Sequence, residues 1–168
     1  MNLTVRLFFL FLLGTVACNN TAKQPSTSNS SSQISIAKIK LMDLNGQPVD
    51  LTKYKGKTIF LNFWATWCKP CREEMPSIQE AMEILKDESI AFFFASDESE
   101  EDVKEFERTN KFNFNYVRTE SLAVLNIMGL PTTFIFDADG EPVFSEMGYR
   151  KWDDKANIEL IKNISSSK

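Results

Sequence analysis

Thr58-Ile59-Phe60-Leu61-Asn62-Phe63-Trp64-Ala65-Thr66-Trp67-Cys68-Lys69-Pro70-Cys71-Arg72-Glu73-Glu74-Met75-Pro76 is the stretch that decides the fold of this chain. Its first eight residues, 58–65, are almost continuously apolar and rich in β-branched and aromatic types. Such a run predicts a strand buried on both faces. After Cys68 the period changes. Met75, Ile78, Met82 and Leu85 recur at helical spacing and predict a helix running to about Asp87. Pro76 falls inside that helix and should kink it. Two cysteines, Cys68 and Cys71, therefore stand where a buried strand gives way to a helix.

That placement suits one kind of chemistry. The first thiol lies at a helix N-terminus, where unpaired backbone N–H groups and the helix dipole favour a thiolate. A thiolate is the attacking species in disulfide exchange. The second thiol lies one turn later, close enough to resolve a mixed disulfide. Cys68 is accordingly assigned as nucleophile and Cys71 as resolving thiol. Two other readings compete. A purely structural bridge would close so small a loop that it adds little stability. Half of a zinc site would need further ligands, but the chain has no histidine and only one other cysteine, Cys18. No metal is expected.

Working outward, Ile34, Ile36, Ile39 and Leu41 suggest a first strand, and Asn45-Gly46 signals a hairpin. Residues 89–95 read as a second buried strand, including Phe92-Phe93-Phe94 as core. Ser99-Glu100-Glu101-Asp102 opens a helix with Val103 and Phe106 facing inward, its acids favourable to the dipole. A short strand at 112–117, a short helix at 121–128, a strand at 132–136, a turn at Asp139-Gly140, a strand from Pro142 and a closing helix over 153–164 complete the order. Strands alternating with helices in this way give an α/β layer architecture with a central mixed sheet.

The quoted stretch closely resembles the thioredoxin-like family, and within it the TlpA/ResA branch of extracytoplasmic, often membrane-anchored members. Gly129-Leu130-Pro131-Thr132-Thr133-Phe134 is a second match in the right order. The resemblance covers about residues 36–164. It implies a thioredoxin fold with an N-terminal β-hairpin extension. It also implies a cis Pro131 facing the cysteine pair, which with Leu130 would present backbone to an extended substrate peptide. Glu74 occupies the position of that branch's buried carboxylate, able to exchange the proton of Cys71. A solvated helix Glu is the plainer alternative. Asn62 stands where thioredoxins carry a buried Asp, and it takes no proton. Trp67 is expected to cover the site and contact substrate, and Trp64 to be core. Lys69 adds positive charge beside Cys68, and Pro70 stiffens the turn as in reducing members. A peroxiredoxin shares the fold but needs Thr or Ser where this chain has Ala65, which argues against peroxidase activity. The resemblance implies a thiol–disulfide oxidoreductase exchanging its dithiol/disulfide with protein substrates, more in keeping with a reductant, for example in cytochrome c maturation. An oxidase or isomerase, or a tethered binding domain without catalysis, is the alternative. A reductant would draw electrons from an upstream membrane thiol donor. No cofactor is expected beyond the Cys68–Cys71 disulfide itself.

The N-terminus reads as an address. Arg6 precedes the apolar run Leu7–Leu13, too short to span a bilayer, and small residues then lead to Cys18. This resembles a lipoprotein signal over 1–17 with Cys18 lipidated, although Thr15 stands where such boxes usually carry Leu. Ordinary cleavage near Ala17 is the alternative. Residues 18–33 are Ser/Asn/Thr-rich and read as a flexible tether of roughly 20 Å mean span. The folded domain is expected over 34–168, held in the cell envelope on the periplasmic side as a monomer. The formal net charge of −4 argues against a nucleic-acid partner. The absence of histidine leaves acid–base work to carboxylates, Lys, Tyr, thiols or water.

Overall fold

A computed structural model of the chain describes residues 34–167. The expected signal segment, the tether and Cys18 lie outside the described residues.

Ten elements follow one another: β1 (Leu41–Met42), β2 (Pro48–Val49), β3 (Thr58–Phe63), α1 (Lys69–Ile84), β4 (Ile90–Ser96), α2 (Glu100–Thr109), β5 (Tyr116–Thr119), β6 (Thr132–Phe136), β7 (Pro142–Met147) and α3 (Lys155–Ser166). The strands form one mixed sheet in the order β2-β1-β5-β4-β3-β6-β7. β3 runs parallel to β4, and β4 to β5, so α1 and α2 are the crossovers parallel strands require. β6 and β7 return antiparallel beside β3, and the β1–β2 hairpin adds antiparallel to β5. The hairpin turn fits its Asn-Gly signal. Asp43 Oδ1 accepts from the backbone of Asn45 and of Gln47, both at 2.8 Å, and Gly46 takes φ +75°.

β3 is the central strand, and every one of its residues is buried. Its side chains alternate between two apolar clusters, as a period of two demands. Phe60 and Trp64 point into one that draws on all three helices, including Met75, Ile78, Val103, Phe106, Ile158 and Ile161. Ile59, Leu61 and Phe63 point into the other, covered by Ile39, Leu41, Leu51 and Ile127. Phe93 and Phe94 are fully buried, one in each cluster.

The structure corrects three sequence expectations. The strand at 34–41 shrinks to Leu41–Met42, and Ile36–Lys38 form a 3₁₀ turn instead. Its isoleucines were never strictly alternating, and Ile34, ahead of the turn, and Ile36, within it, pack against the second cluster. The strand expected at 112–117 begins only at Tyr116. Phe112 and Phe114 stack on each other at 5.0 Å, and Phe114 stacks on Phe94 at 3.8 Å, so packing claims these rings before the backbone pairs. The helix expected at 121–128 is a 3₁₀ turn at Ala123–Leu125, ended by Asn126 in the left-handed region at φ 56°. A full helix there would have to cover Val124 and Met128, which instead stand 77% and 87% exposed. α1 runs unbroken past Pro76, whose missing N–H leaves a carbonyl free on the exposed side of the helix.

Candidate active site

Cys68 caps the N-terminus of α1, and Pro70 sits in its first turn, where a missing N–H costs nothing. The chain enters from β3 through a turn in which the Cys68 N–H donates to Ala65 O at 3.1 Å. Cys68 and Cys71 are joined as a disulfide with a Cα–Cα separation of 5.3 Å. The Cys71 N–H donates to Cys68 Sγ at 3.2 Å, so the helix end presents a backbone donor to this sulfur. Cys71 is fully buried and Cys68 nearly so, at 0% and 3% exposure, leaving Cys68 the more accessible sulfur.

Trp67, beside the pair, is 71% exposed, whereas Trp64 is wholly in the core. Lys69 faces solvent and pairs with Glu73 at 3.5 Å, an exposed contact with little electrostatic weight. β6 brings in the second motif. Asn62 lies opposite Thr133 and Phe63 opposite Thr132, so the preceding Leu130–Pro131 bond stands at the end of β3 where the Trp64–Cys68 segment begins. That peptide bond is cis. Pro131 is buried, and its carbonyl accepts from Gly148 N at 2.7 Å. Leu130 packs against both clusters, and Met147 Sδ lies against Gly129, so a side chain there would have to push the exposed Met147 aside.

Glu74 is not a solvated helix residue. It is 1% exposed, while its neighbour Glu73 is in solvent. Standing three residues after Cys71, it shares the buried face of the first turns of α1. Its carboxylate accepts from Asn62 Nδ2 at 2.8 Å and from the Arg150 backbone N–H at 3.1 Å. Burial is the dominant influence and pushes its pKa up to about 7, although both hydrogen bonds favour the charged form. The Trp152 indole has no partner in hydrogen-bonding geometry, yet lies near enough to favour the carboxylate as well. A carboxyl held near neutrality inside the protein can both take and return a proton at physiological pH.

The sequence did not announce the groups that hold Glu74. Asn62 was legible only as a residue that takes no proton. Its amide in fact donates to Glu74 and also to Thr133 Oγ1 at 3.0 Å, tying β3, α1 and β6 together. Arg150 lies 76 residues from Glu74 and carries no motif. Its Nε donates to Asn157 Oδ1 at 2.7 Å, it pairs with Glu146, and it lies over the rings of Phe144 and Trp152. Among the described residues no group of His, Cys, Asp and Glu could hold a metal ion, and no helix is long and apolar enough to cross a membrane.

The chain is similar to several known proteins. The chain is 38% identical over 127 residues to the thiol-disulfide oxidoreductase ResA of Geobacillus thermodenitrificans, covering 73% of each chain. It is 36% identical over 110 residues to ResA of Bacillus cereus, covering 63% of this chain and 64% of that one, so that match spans a little under two thirds of the relative's length. The crystal structure of the pneumococcal exposed lipoprotein thioredoxin from Streptococcus pneumoniae superposes with a TM-score of 0.63 at 25% identity, over 74% of this chain and 97% of that one. The AhpC/TSA family profile matches residues 34–142, more than half of the sequence, and with its thioredoxin-like fold the chain belongs to the AhpC/TSA family.

Proposed function

We propose that this protein is a thiol–disulfide oxidoreductase that exchanges its Cys68–Cys71 pair with cysteines of protein substrates, running as a reductant. The observation that carries the reading is the disulfide at the head of α1 with a buried, near-neutral Glu74 on the same helix face. In the reduced state Cys68 attacks one sulfur of a substrate disulfide. A mixed disulfide forms and the other substrate sulfur leaves as a thiolate, which takes a proton. The Cys71 thiol gives its proton to Glu74 and attacks Cys68 Sγ. The second substrate sulfur leaves as a thiolate and takes up the proton that Glu74 gives back, and the Cys68–Cys71 disulfide remains. Two electrons have passed to the substrate, and a thiol donor must return two to the pair.

Ala65 is fully buried and has no hydroxyl where the peroxidases of this fold need one, which supports exchange over peroxide reduction. The pneumococcal exposed lipoprotein supports an extracytoplasmic setting, with Cys18 as the lipid attachment and residues 18–33 as tether, and a reductant would take its electrons from a membrane thiol protein. Cytochrome c maturation is the pathway that fits a reductant of this branch. The pair itself serves as the redox group, with no further cofactor.

The test is the reduction potential of the pair in graded thiol buffers, followed by tryptophan fluorescence. A midpoint below about −220 mV fits a reductant, and one above roughly −180 mV an oxidant or isomerase. No transition at all would make the protein a binding domain with an inert bridge.

A further inference from the structure

Glu98 lies in the β4–α2 connection, 30 residues from Cys68 in sequence and outside every motif described above. Its carboxylate is nevertheless spent on the segment that delivers Cys68. Glu98 Oε2 accepts from the Thr66 backbone N–H at 2.6 Å, and Oε1 accepts from Thr66 Oγ1 at 2.6 Å. The two bonds run side by side, one per oxygen, and both are of the short, charge-assisted kind. The carboxylate is itself held, because Ser96 Oγ donates to Oε2 at 3.1 Å. The Glu98 main chain is held too. Its N–H donates to Ser96 Oγ at 3.2 Å, and its carbonyl accepts from Arg118 Nε at 2.8 Å. A connected path therefore runs from β4 and β5 through Glu98 to Thr66, and Thr66 belongs to the turn closed by Cys68 N–H on Ala65 O.

We infer that Glu98 is a positioning residue for the cysteine pair: by clamping Thr66 it fixes the turn that holds Cys68 at bonding distance from Cys71. The inference rests on the oxidoreductase reading and adds a residue to it. The physical reason is effective concentration. Ring closure between two thiols is favoured to the extent that the fold holds them together beforehand. α1 fixes Cys71, but Cys68 is the cap residue and depends on the preceding turn for its position. Buffer thiol reduces the disulfide as protein S–S plus two RSH giving protein dithiol plus RSSR. A looser turn therefore lowers the equilibrium constant for the reverse reaction, ring closure.

The experiment compares the wild-type protein with Glu98→Gln, Thr66→Val and the double variant in glutathione buffers, with thermal unfolding measured alongside. Glu98→Gln removes the charge and leaves a single acceptor oxygen, so the two Thr66 donors can no longer both be accepted with charge assistance, and Thr66→Val deletes only the hydroxyl bond. A roughly tenfold loss in ring closure is expected for Glu98→Gln, which moves the midpoint about 30 mV in the oxidising direction. A smaller shift is expected for Thr66→Val, and less than the sum for the double variant, because both touch one clamp. Thr66→Ser keeps both donors and should restore the wild-type midpoint. An unchanged midpoint in Glu98→Gln, or additive shifts in the double variant, would overturn the assignment. A Glu98→Gln protein that does not fold leaves the Thr66→Val and Thr66→Ser pair to decide it. If the wild-type pair shows no midpoint at all, the oxidoreductase reading fails first and the Glu98 assignment fails with it.

Discussion

Replacing Glu74 by Gln should alter the stability of the oxidised protein in a way that depends on pH, and the structure sets both terms. The Glu74 carboxyl is raised from 4.5 to about 7, chiefly by burial. Between those values the folded protein holds a proton that the unfolded chain has released. Its stability is therefore fullest below about pH 4.5 and is lost as pH rises through 7. A difference of about 2.5 units at ~1.36 kcal/mol each makes the loss about 3 kcal/mol by pH 8.5. Gln does not titrate, so the variant escapes this loss. It meets a different, pH-independent one: its carbonyl can keep the Asn62 bond, but its NH2 group faces the Arg150 N–H, donor against donor. An unsatisfied buried donor costs about 1–3 kcal/mol. Wild type should thus be the more stable at pH 5, and the gap should close or reverse by pH 8.5. Urea unfolding of both oxidised proteins at pH 5, 7 and 8.5 measures it. The window is clean because the chain has no histidine. A stability gap that stays constant from pH 5 to 8.5 would refute the reasoning, since Glu74 would then carry the same charge throughout.

Other expectations follow from the same site and its surroundings. Cys68→Ser should abolish exchange, whereas Cys71→Ser should accumulate mixed disulfides with substrate, visible on non-reducing gels; full turnover by Cys68→Ser would reverse the roles. Trp152 is 1% exposed and meets Phe60 edge to face at 4.7 Å, so Trp152→Ala should cost about 3–5 kcal/mol by denaturant titration. Cys18→Ser should move the protein from the membrane fraction to the soluble fraction of cells expressing it. Retention of the variant in the membrane would count against a lipid attachment at Cys18.

Legibility in the sequence tracked how local the physics was. β3, α1 and the β1–β2 hairpin were readable because their signals, an apolar run, a helical period and Asn-Gly, act between near neighbours. The cis Leu130–Pro131 bond was readable through resemblance alone. The strand expected at 112–117 was misplaced because aromatic stacking against Phe94, a residue from another strand, decides where pairing starts. The 121–128 helix failed because composition cannot show that no surface waits to cover Val124 and Met128. In the site, Cys68, Cys71 and Glu74 follow one another at steps of three residues along the start of α1 and could be named. Asn62, Arg150 and Glu98 reach the site only through folding, and their side chains look ordinary in the sequence.

β3 gives the site one more property. Ile59, Leu61 and Phe63 belong to one apolar cluster and Phe60 to the other, while Asn62 ties the strand to α1 and β6. A strand shared in this way cannot be released by opening either half of the protein alone. The segment that carries the cysteines therefore grows out of the part of the molecule that opens last, and its amide protons at Leu61 and Phe63 should exchange only with global unfolding. Reduction and reoxidation can break and remake the covalent bond at the head of α1 many times while the platform beneath it keeps its shape.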